Sequence, residues 1–353
     1  MKRLLLFSWM LLLLMACETE ITDFKTQNLS NAIVVYGEMS NMAGPYSVRL
    51  NYTSGYSPFD VTEFQGQAIQ GADVRIMDEA GAAISLKETA KGYYQTPSSF
   101  MGLVGKKYQL KIMTKAGQDI ASDWQTLSTP VAAEGLDYQF KSAEKVENMR
   151  FDLSGYVSDK KQVENYYFIK RQDFIQFLTT CPEPPPPPAP VPPCDCKCWQ
   201  APQNTQPILL TDFLVDGSKI KLLLGSIDYR DFTDWVVQLE VYSVDKATHT
   251  YWQRQEDQRK LGGGIFDKVP AQIIGNLKCL NNPDQQVLGY FMVAGKTKSR
   301  LTIDRYNGIP FETYNKLVNY VEFNNIRYKN YPLWDCRKAA WIPYNIGLKL
   351  PPN

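Results

Sequence analysis

Seven cysteines carry most of the reactive chemistry in this chain of 353 residues. Six of them lie in its second half: Cys181, Cys194, Cys196, Cys198, Cys279 and Cys336. Cys194, Cys196 and Cys198 alternate with single residues. In an extended segment they share one face with near-parallel side chains, so a bridge between neighbours would be strained. Thiolates so placed could hold a soft cation, but the usual Cys-x-x-Cys pairs of such sites are missing, and no metal is expected. His249 is the single histidine. A Ser-His-Asp or Cys-His nucleophile would have to use it, and no motif surrounds it, so it reads as a surface residue. Asp228, Asp231 and Asp234 recur every third residue and could offer oxygen to calcium. They lack the glycine turn and glutamate of a calcium loop, which favours a polar turn. Gly102 to Lys106 lacks the glycine spacing of a phosphate loop. Carboxylate pairs for glycoside hydrolysis need no local spacing, and nothing marks a particular pair. No catalytic residue and no cofactor is assigned.

The thiol chemistry depends on the compartment, and residues 1–17 speak to it. Lys2 and Arg3 precede an apolar run, Leu4 to Met15, broken only by Ser8. The run is too short to span a bilayer and has the layout of a secretory signal peptide, residues 1–16. Leu14-Met15-Ala16-Cys17 resembles a bacterial lipobox, which implies cleavage before Cys17 and acylation of that residue. Several acyl chains would anchor the protein stably to a membrane. An exported chain with six remaining cysteines favours disulfides. Each of Cys194, Cys196 and Cys198 is expected to pair with one of the remote cysteines Cys181, Cys279 and Cys336.

Residues 17–30 read as the lipidated linker. Its acidic start, Glu18-Thr19-Glu20, resembles the surface-export signal of Bacteroidota lipoproteins; a plain solvated spacer is the alternative. Removing residues 1–16 takes Lys2 and Arg3 but no acid, which moves the formal charge from +1 to about −1. No basic excess remains to attract nucleic acid.

The elements behind these residues are mostly strands. Ile33 to Tyr36, Tyr46 to Tyr52, Gly71 to Ile76, Ile84 to Leu86, Gly92 to Tyr94, Tyr108 to Ile112 and Ile120 to Leu127 read as short strands separated by turns. Tyr46, Val48 and Leu50 share one face, with Ser47, Arg49 and Asn51 on the other. Asp78 to Gly81 supplies turn chemistry. These features place a β-sandwich at residues 31–130. The order Gly71-Ala72-x-Val74-x-Ile76, Asp78-x-x-Gly81, Gly92-x-Tyr94 and Gly105-x-x-Tyr108-x-Leu110 resembles transthyretin-like, or more broadly immunoglobulin-like, sandwich modules. In bacteria such modules usually act as spacers or binding domains.

Residues 131–353 read as a larger antiparallel β domain. Strands are expected at Met149 to Val157, Tyr166 to Lys170, Leu209 to Val215, Ile220 to Leu224, Trp235 to Val244, Val287 to Val293 and Ser299 to Ile303. A polar helix is expected at Lys246 to Lys260, capped by Asp245, ended by Gly262 to Gly264 and anchored by Tyr251 and Trp252. A second short helix is expected at Thr313 to Phe323. The chain is thus mainly β with one or two helices. A Pro/Cys-rich insertion occupies residues 181–200. Its run from Pro182 to Pro193 favours polyproline II and could extend roughly 37 Å at about 3.1 Å per residue. A direct Cys181–Cys194 bridge would need the run to fold back. It is either a stiff exposed loop or a projecting ligand for aromatic grooves.

Nearly all of the mature sequence resembles a family of Bacteroidota outer-membrane lipoproteins described as a domain of unknown function (DUF4249). The resemblance rests on Cys17-Glu18, Val34-Val35-Tyr36-Gly37, Gly71-Ala72-x-Val74, Gly92-x-Tyr94, Cys198-Trp199, Tyr251-Trp252, Gly264-Ile265-Phe266, Gly275-Asn276 and Val287 to Phe291. It implies a lipid-anchored accessory or binding protein, exposed at the cell surface and working with a TonB-dependent receptor in nutrient capture. It supplies no catalytic residues. Tyr251, Trp252, Tyr290 and Phe291 are the partner-surface candidates it suggests, and packing would explain them equally well. A surface hydrolase acting on glycan or peptide, and an adhesin or structural surface protein, are the rival readings.

Overall fold

The computed structural model describes residues 31–53, 67–158, 164–178, 197–201, 206–212, 217–229, 234–260, 272–304, 309–323 and 345–347. The signal peptide, Cys17, the linker, the proline run, Cys181, Cys194, Cys196 and Cys336 lie outside them. So do Asp231 and the Gly262–Gly264 helix stop.

The chain is mainly β, with antiparallel sheets and two helices. The first strands are β1 (Ile33–Ser40), β2 (Ser47–Tyr52), β3 (Asp73–Asp78), β4 (Ala83–Ser85), β5 (Lys87–Ala90), β6 (Tyr93–Gln95), β7 (Lys107–Met113), β8 (Asp119–Ser122) and β9 (Gln125–Thr126). There follow β10 (Ala133–Lys141), β11 (Arg150–Ser158), β12 (Tyr166–Leu178), β13 (Lys197–Ala201), β14 (Ile208–Thr211), β15 (Lys219–Asp228) and β16 (Trp235–Val244). Helix α1 (Lys246–Lys260), β17 (Leu277–Cys279), β18 (Val287–Ile303), helix α2 (Phe311–Phe323) and β19 (Asn345–Gly347) complete the order.

A ten-stranded sheet forms the backbone of the molecule, in the order β19-β13-β12-β16-β18-β1-β2-β6-β5, with β14 also on β12. A six-stranded sheet, β17-β8-β7-β3-β4 with β9 on β7, packs on one half of it. A three-stranded sheet, β10-β11-β15, packs on the other half. Period-2 alternation explains which residues enter each core. Val48 and Leu50 of β2, Val74 and Ile76 of β3, and Leu110 and Ile112 of β7 fill the first. Val237, Leu239 and Val241 of β16 fill the second beside Phe151 and Tyr229. Turn chemistry works as expected at Asp78, whose carboxylate accepts from the N–H groups of Ala80 and Ala82, with Gly81 at φ 88°.

Two expectations change. Val287 to Val293 and Ser299 to Ile303 are one continuous strand of 17 residues, β18, because Ala294 between them pairs with Ser40 of β1 and Gly295 to Lys298 pair with β16. The first half of β18 runs parallel to β1, from Ile33↔Val287 to Ser40↔Ala294. Its second half runs antiparallel to β16. Residues 277–293, which follow the second-domain strands in sequence, thus belong to the first core through Leu277, Val287, Phe291 and Val293. In addition β10, unmarked in the sequence pattern, pairs with β11 through a bulge between Glu134 and Asp137.

Helix α1 lies on the face of the ten-stranded sheet opposite both sandwich cores. Asp245 caps it, accepting from the Thr248 N–H at 2.7 Å. Most of its surface is polar, and Thr248 and Tyr251 are its buried residues. The helix holds to the sheet by aromatic contact. Tyr251 packs on Tyr290 with centroids 4.5 Å apart, and Trp252 on Phe168 at 5.0 Å. Phe168, Tyr242, Met292 and Ala294 complete this third cluster.

Candidate functional site

The residues singled out by sequence are placed mainly by packing. Tyr251 and Tyr290 are buried under α1 at 4% exposure each, and Phe291 points into the first core at 0%. Burial removes all three as direct partner contacts. Trp252 is half-buried, and its indole N–H has no partner among the described residues. The Tyr290 hydroxyl joins three elements. It lies 3.0 Å from Thr248 Oγ1 of α1 and accepts from Gln125 Nε2 of β9 at 3.0 Å. Gln125 Oε1 in turn accepts from the Val293 N–H. Burial of the Tyr290 phenol pushes its pKa up to about 12.

The cysteine expectation also changes. Cys279 is a free, buried thiol that donates to Asn281 Oδ1 at 3.2 Å. It sits on β17, at the edge of the six-stranded sheet, whereas Cys198 sits on β13 in the ten-stranded sheet. His249 is half-buried rather than on the open surface, with its ring 5.3 Å from that of Tyr166. Burial holds its pKa below 6.5, and Nε2 has no partner among the described residues. Asp228 ends β15 and Asp234 precedes β16, and Asp231 between them lies outside the described residues.

The open face of the ten-stranded sheet, beside α1, carries the most coherent set of exposed groups. Register puts Tyr290 of β18 opposite Tyr36 of β1, Tyr36 opposite Arg49 of β2, and Arg49 opposite Tyr93 of β6. Residues directly opposite share a face, so these four form one straight row. The row begins under the helix and emerges into solvent. Tyr36 is 44% exposed and Tyr93 39%. The Arg49 guanidinium lies 5.4 Å from the Tyr93 ring centroid, within cation–π range. With its amide assigned in the orientation that satisfies its neighbours, Asn51 accepts from Arg49 Nη2 at 3.0 Å and from Nε at 3.2 Å. In the adjacent row Gln95 donates to Ser47 Oγ at 3.1 Å, and Lys87 is in register with Gln95. The result is a flat shelf of ring faces and hydrogen-bonding groups.

A charge network borders this shelf. Glu38 of β1 pairs with Lys170 of β12 at 2.7 Å and lies 4.0 Å from Lys296 of β18. Glu240 of β16 pairs with Lys296 at 2.8 Å and Lys298 at 3.6 Å. The Tyr242 hydroxyl donates to Glu240 at 2.8 Å and reaches Glu38 at 3.1 Å. Burial pushes the Glu38 carboxyl up, but Lys170 and Lys296 outweigh it and hold it below the usual range. Glu240 follows the same pattern, with burial outweighed chiefly by Lys296. Both carboxyls are ionised near neutral pH. A glycosidase pair needs one of its two protonated, so these two are not set for that chemistry.

Two open clefts, about 580 Å³ and 520 Å³, flank the start of α1. The larger is walled by Ser128, Thr129, Tyr166 and Lys246, the smaller by Asp123, Arg254, Ile274 and Tyr290. Sequence reasoning placed Arg49 on the outward side of its strand but did not join it to Tyr36 and Tyr93. An outward aromatic in an alternating strand was the available signal; cross-strand register was the missing part.

A family model described as a domain of unknown function (DUF4249) matches residues 19–300. Comparison with curated proteins gave no match. Among solved structures, trypsin-activated alpha-2-macroglobulin from Escherichia coli is similar at 10% identity and TM-score 0.20, over 62% of this chain and 15% of that one. A DUF4785 family protein from Legionella pneumophila is similar at 11% identity and TM-score 0.20, over 59% of this chain and 52% of that one. The chain therefore spans well under two thirds of either protein, and likeness at this level carries no functional weight.

Proposed function

The chain belongs to the DUF4249 family, and from that premise we propose that it is a lipid-anchored, non-enzymatic accessory or binding protein of the outer membrane, exposed at the cell surface beside a TonB-dependent receptor. The observation that carries the binding role is the shelf. Tyr36 and Tyr93 stay exposed around Arg49 on a sheet that is rigidly packed on its other face. Exposed aromatics on such a support are a common basis for recognition. The membrane role rests on the Cys17 lipobox. The segment from Cys17 to Ile33 could span at most about 58 Å when extended, enough to hold the domain near the bilayer with the shelf free to meet a ligand or partner.

The test is purification of the full chain from native outer membranes. A barrel receptor is expected to accompany it, and Cys17→Ala is expected to release the chain from the membrane fraction. Recovery of the wild-type chain without any barrel protein overturns the receptor role. Membrane retention of the Cys17→Ala variant overturns the lipid anchor.

A further inference from the structure

Resting on the binding role above, we infer that the Tyr36–Arg49–Tyr93 row recognises a carboxylated glycan, such as a linear uronic-acid chain. Three observations converge. First, Tyr36 and Tyr93 lie on the same side of the sheet with one strand between them. Strands sit about 4.7–4.9 Å apart, which puts the two ring positions about 10 Å apart. That separation matches alternate rings of an extended sugar chain crossing the strands, and apolar ring faces stack on aromatic faces. Second, the shelf is flat. Its neighbouring groups are the short polar side chains Ser47, Gln95 and Asn51. These suit hydroxyl groups, whereas an extended peptide needs pockets for alternate side chains.

Third, the shelf carries cations to match an acid. A guanidinium has five N–H donors. Asn51 accepts one from Nε and one from Nη2, which leaves three, including both on Nη1. No ion pair to Arg49 occurs among the described residues. Lys87 is exposed on the same face at the outer end. Glu38, two residues along β1 from Tyr36, is already paired with Lys170 and lies 4.0 Å from Lys296. A carboxylate held over Arg49 would gain a charge-assisted hydrogen bond while its sugar ring and the next but one stack on the tyrosines.

Isothermal calorimetry on the full chain tests this with three probes: an oligogalacturonate of about six residues, its methyl ester, and oligoglutamate. The oligogalacturonate is expected to bind, and the ester about tenfold more weakly. Arg49→Gln is expected to weaken the acid probe about tenfold and leave the ester unchanged. Tyr36→Ala and Tyr93→Ala are expected to weaken both, each by about fivefold. Unchanged melting temperatures would show that these exposed substitutions leave the fold intact. Equal binding of acid and ester, preference for oligoglutamate, or binding of no probe would each overturn the inference. The same variants carried through the membrane purification separate the two proposals. Failure of the wild-type chain to bind the acid probe, with the barrel receptor still recovered, refutes the ligand class alone; absence of the receptor refutes the broader reading.

Discussion

Gly289→Ala is the substitution on which the joining of β1 to β18 can be tested most directly. Gly289 has φ +94°, and a methyl there would press into the Val35 carbonyl oxygen of β1. That oxygen belongs to a paired strand and cannot rotate aside. On the neighbouring segment a methyl on Gly275 would meet the Gly289 carbonyl oxygen in the same way. Relief would require β1 to move against a register that runs without interruption from Ile33↔Val287 to Ser40↔Ala294. The left-handed backbone contributes about 1–2 kcal/mol, and overpacking a further 1–3 kcal/mol, roughly. The sum is about 2–5 kcal/mol, or a fall in melting temperature of about 4–20 °C at about 2–4 °C per kcal/mol. Gly81→Ala is the internal control. Its φ is +88°, but a methyl there meets nothing within 4 Å. It should lose only the backbone contribution, about 1–2 kcal/mol. Thermal and urea unfolding followed by circular dichroism would compare the two. Equal losses would refute the close approach of β1 and β18, and with it the shared sheet that carries the shelf.

Three other outcomes are expected. Phe291→Ala should cost about 3–5 kcal/mol because it empties a fully buried site in the first core, while Tyr36→Ala should stay within about 1 kcal/mol; a near-neutral Phe291→Ala in denaturant melts would return that residue to the surface. Cys279 should resist iodoacetamide in the native state, react after unfolding, and be recovered unbridged in non-reduced peptide maps; a Cys279 disulfide would contradict the structure. His249 has its folded pKa lowered by burial from 6.5. The unfolded chain therefore takes up a proton first, so stability is fullest above pH 6.5 and declines as the pH falls toward the folded value. Unfolding midpoints across that window should slope for wild type and flatten for His249→Asn, and matching slopes would refute this.

The local pattern was legible to a useful depth. Alternation in β2 correctly separated Val48 and Leu50 from Ser47 and Arg49, because side-chain direction in a strand depends only on position parity. The Asp245 cap and the Tyr251 and Trp252 anchors of α1 were likewise readable, since capping and anchoring act within a few residues. Of the cysteines, only Cys279 has a described side chain. An even count suggests pairing but contains no distance, and Cys279 lies buried in its own sheet with an asparagine for company.

What composition and spacing determined, then, was a mainly β chain and the inward or outward sense of its strand residues. Tertiary structure alone decided that β18 closes the first core while continuing into the second, and that Tyr36, Arg49 and Tyr93 stand in one row. The physical reason is that strand pairing is non-local. Parity says which side a residue takes, but only the register between strands distant in sequence says which residues become neighbours and which of the two sides a helix leaves open to water.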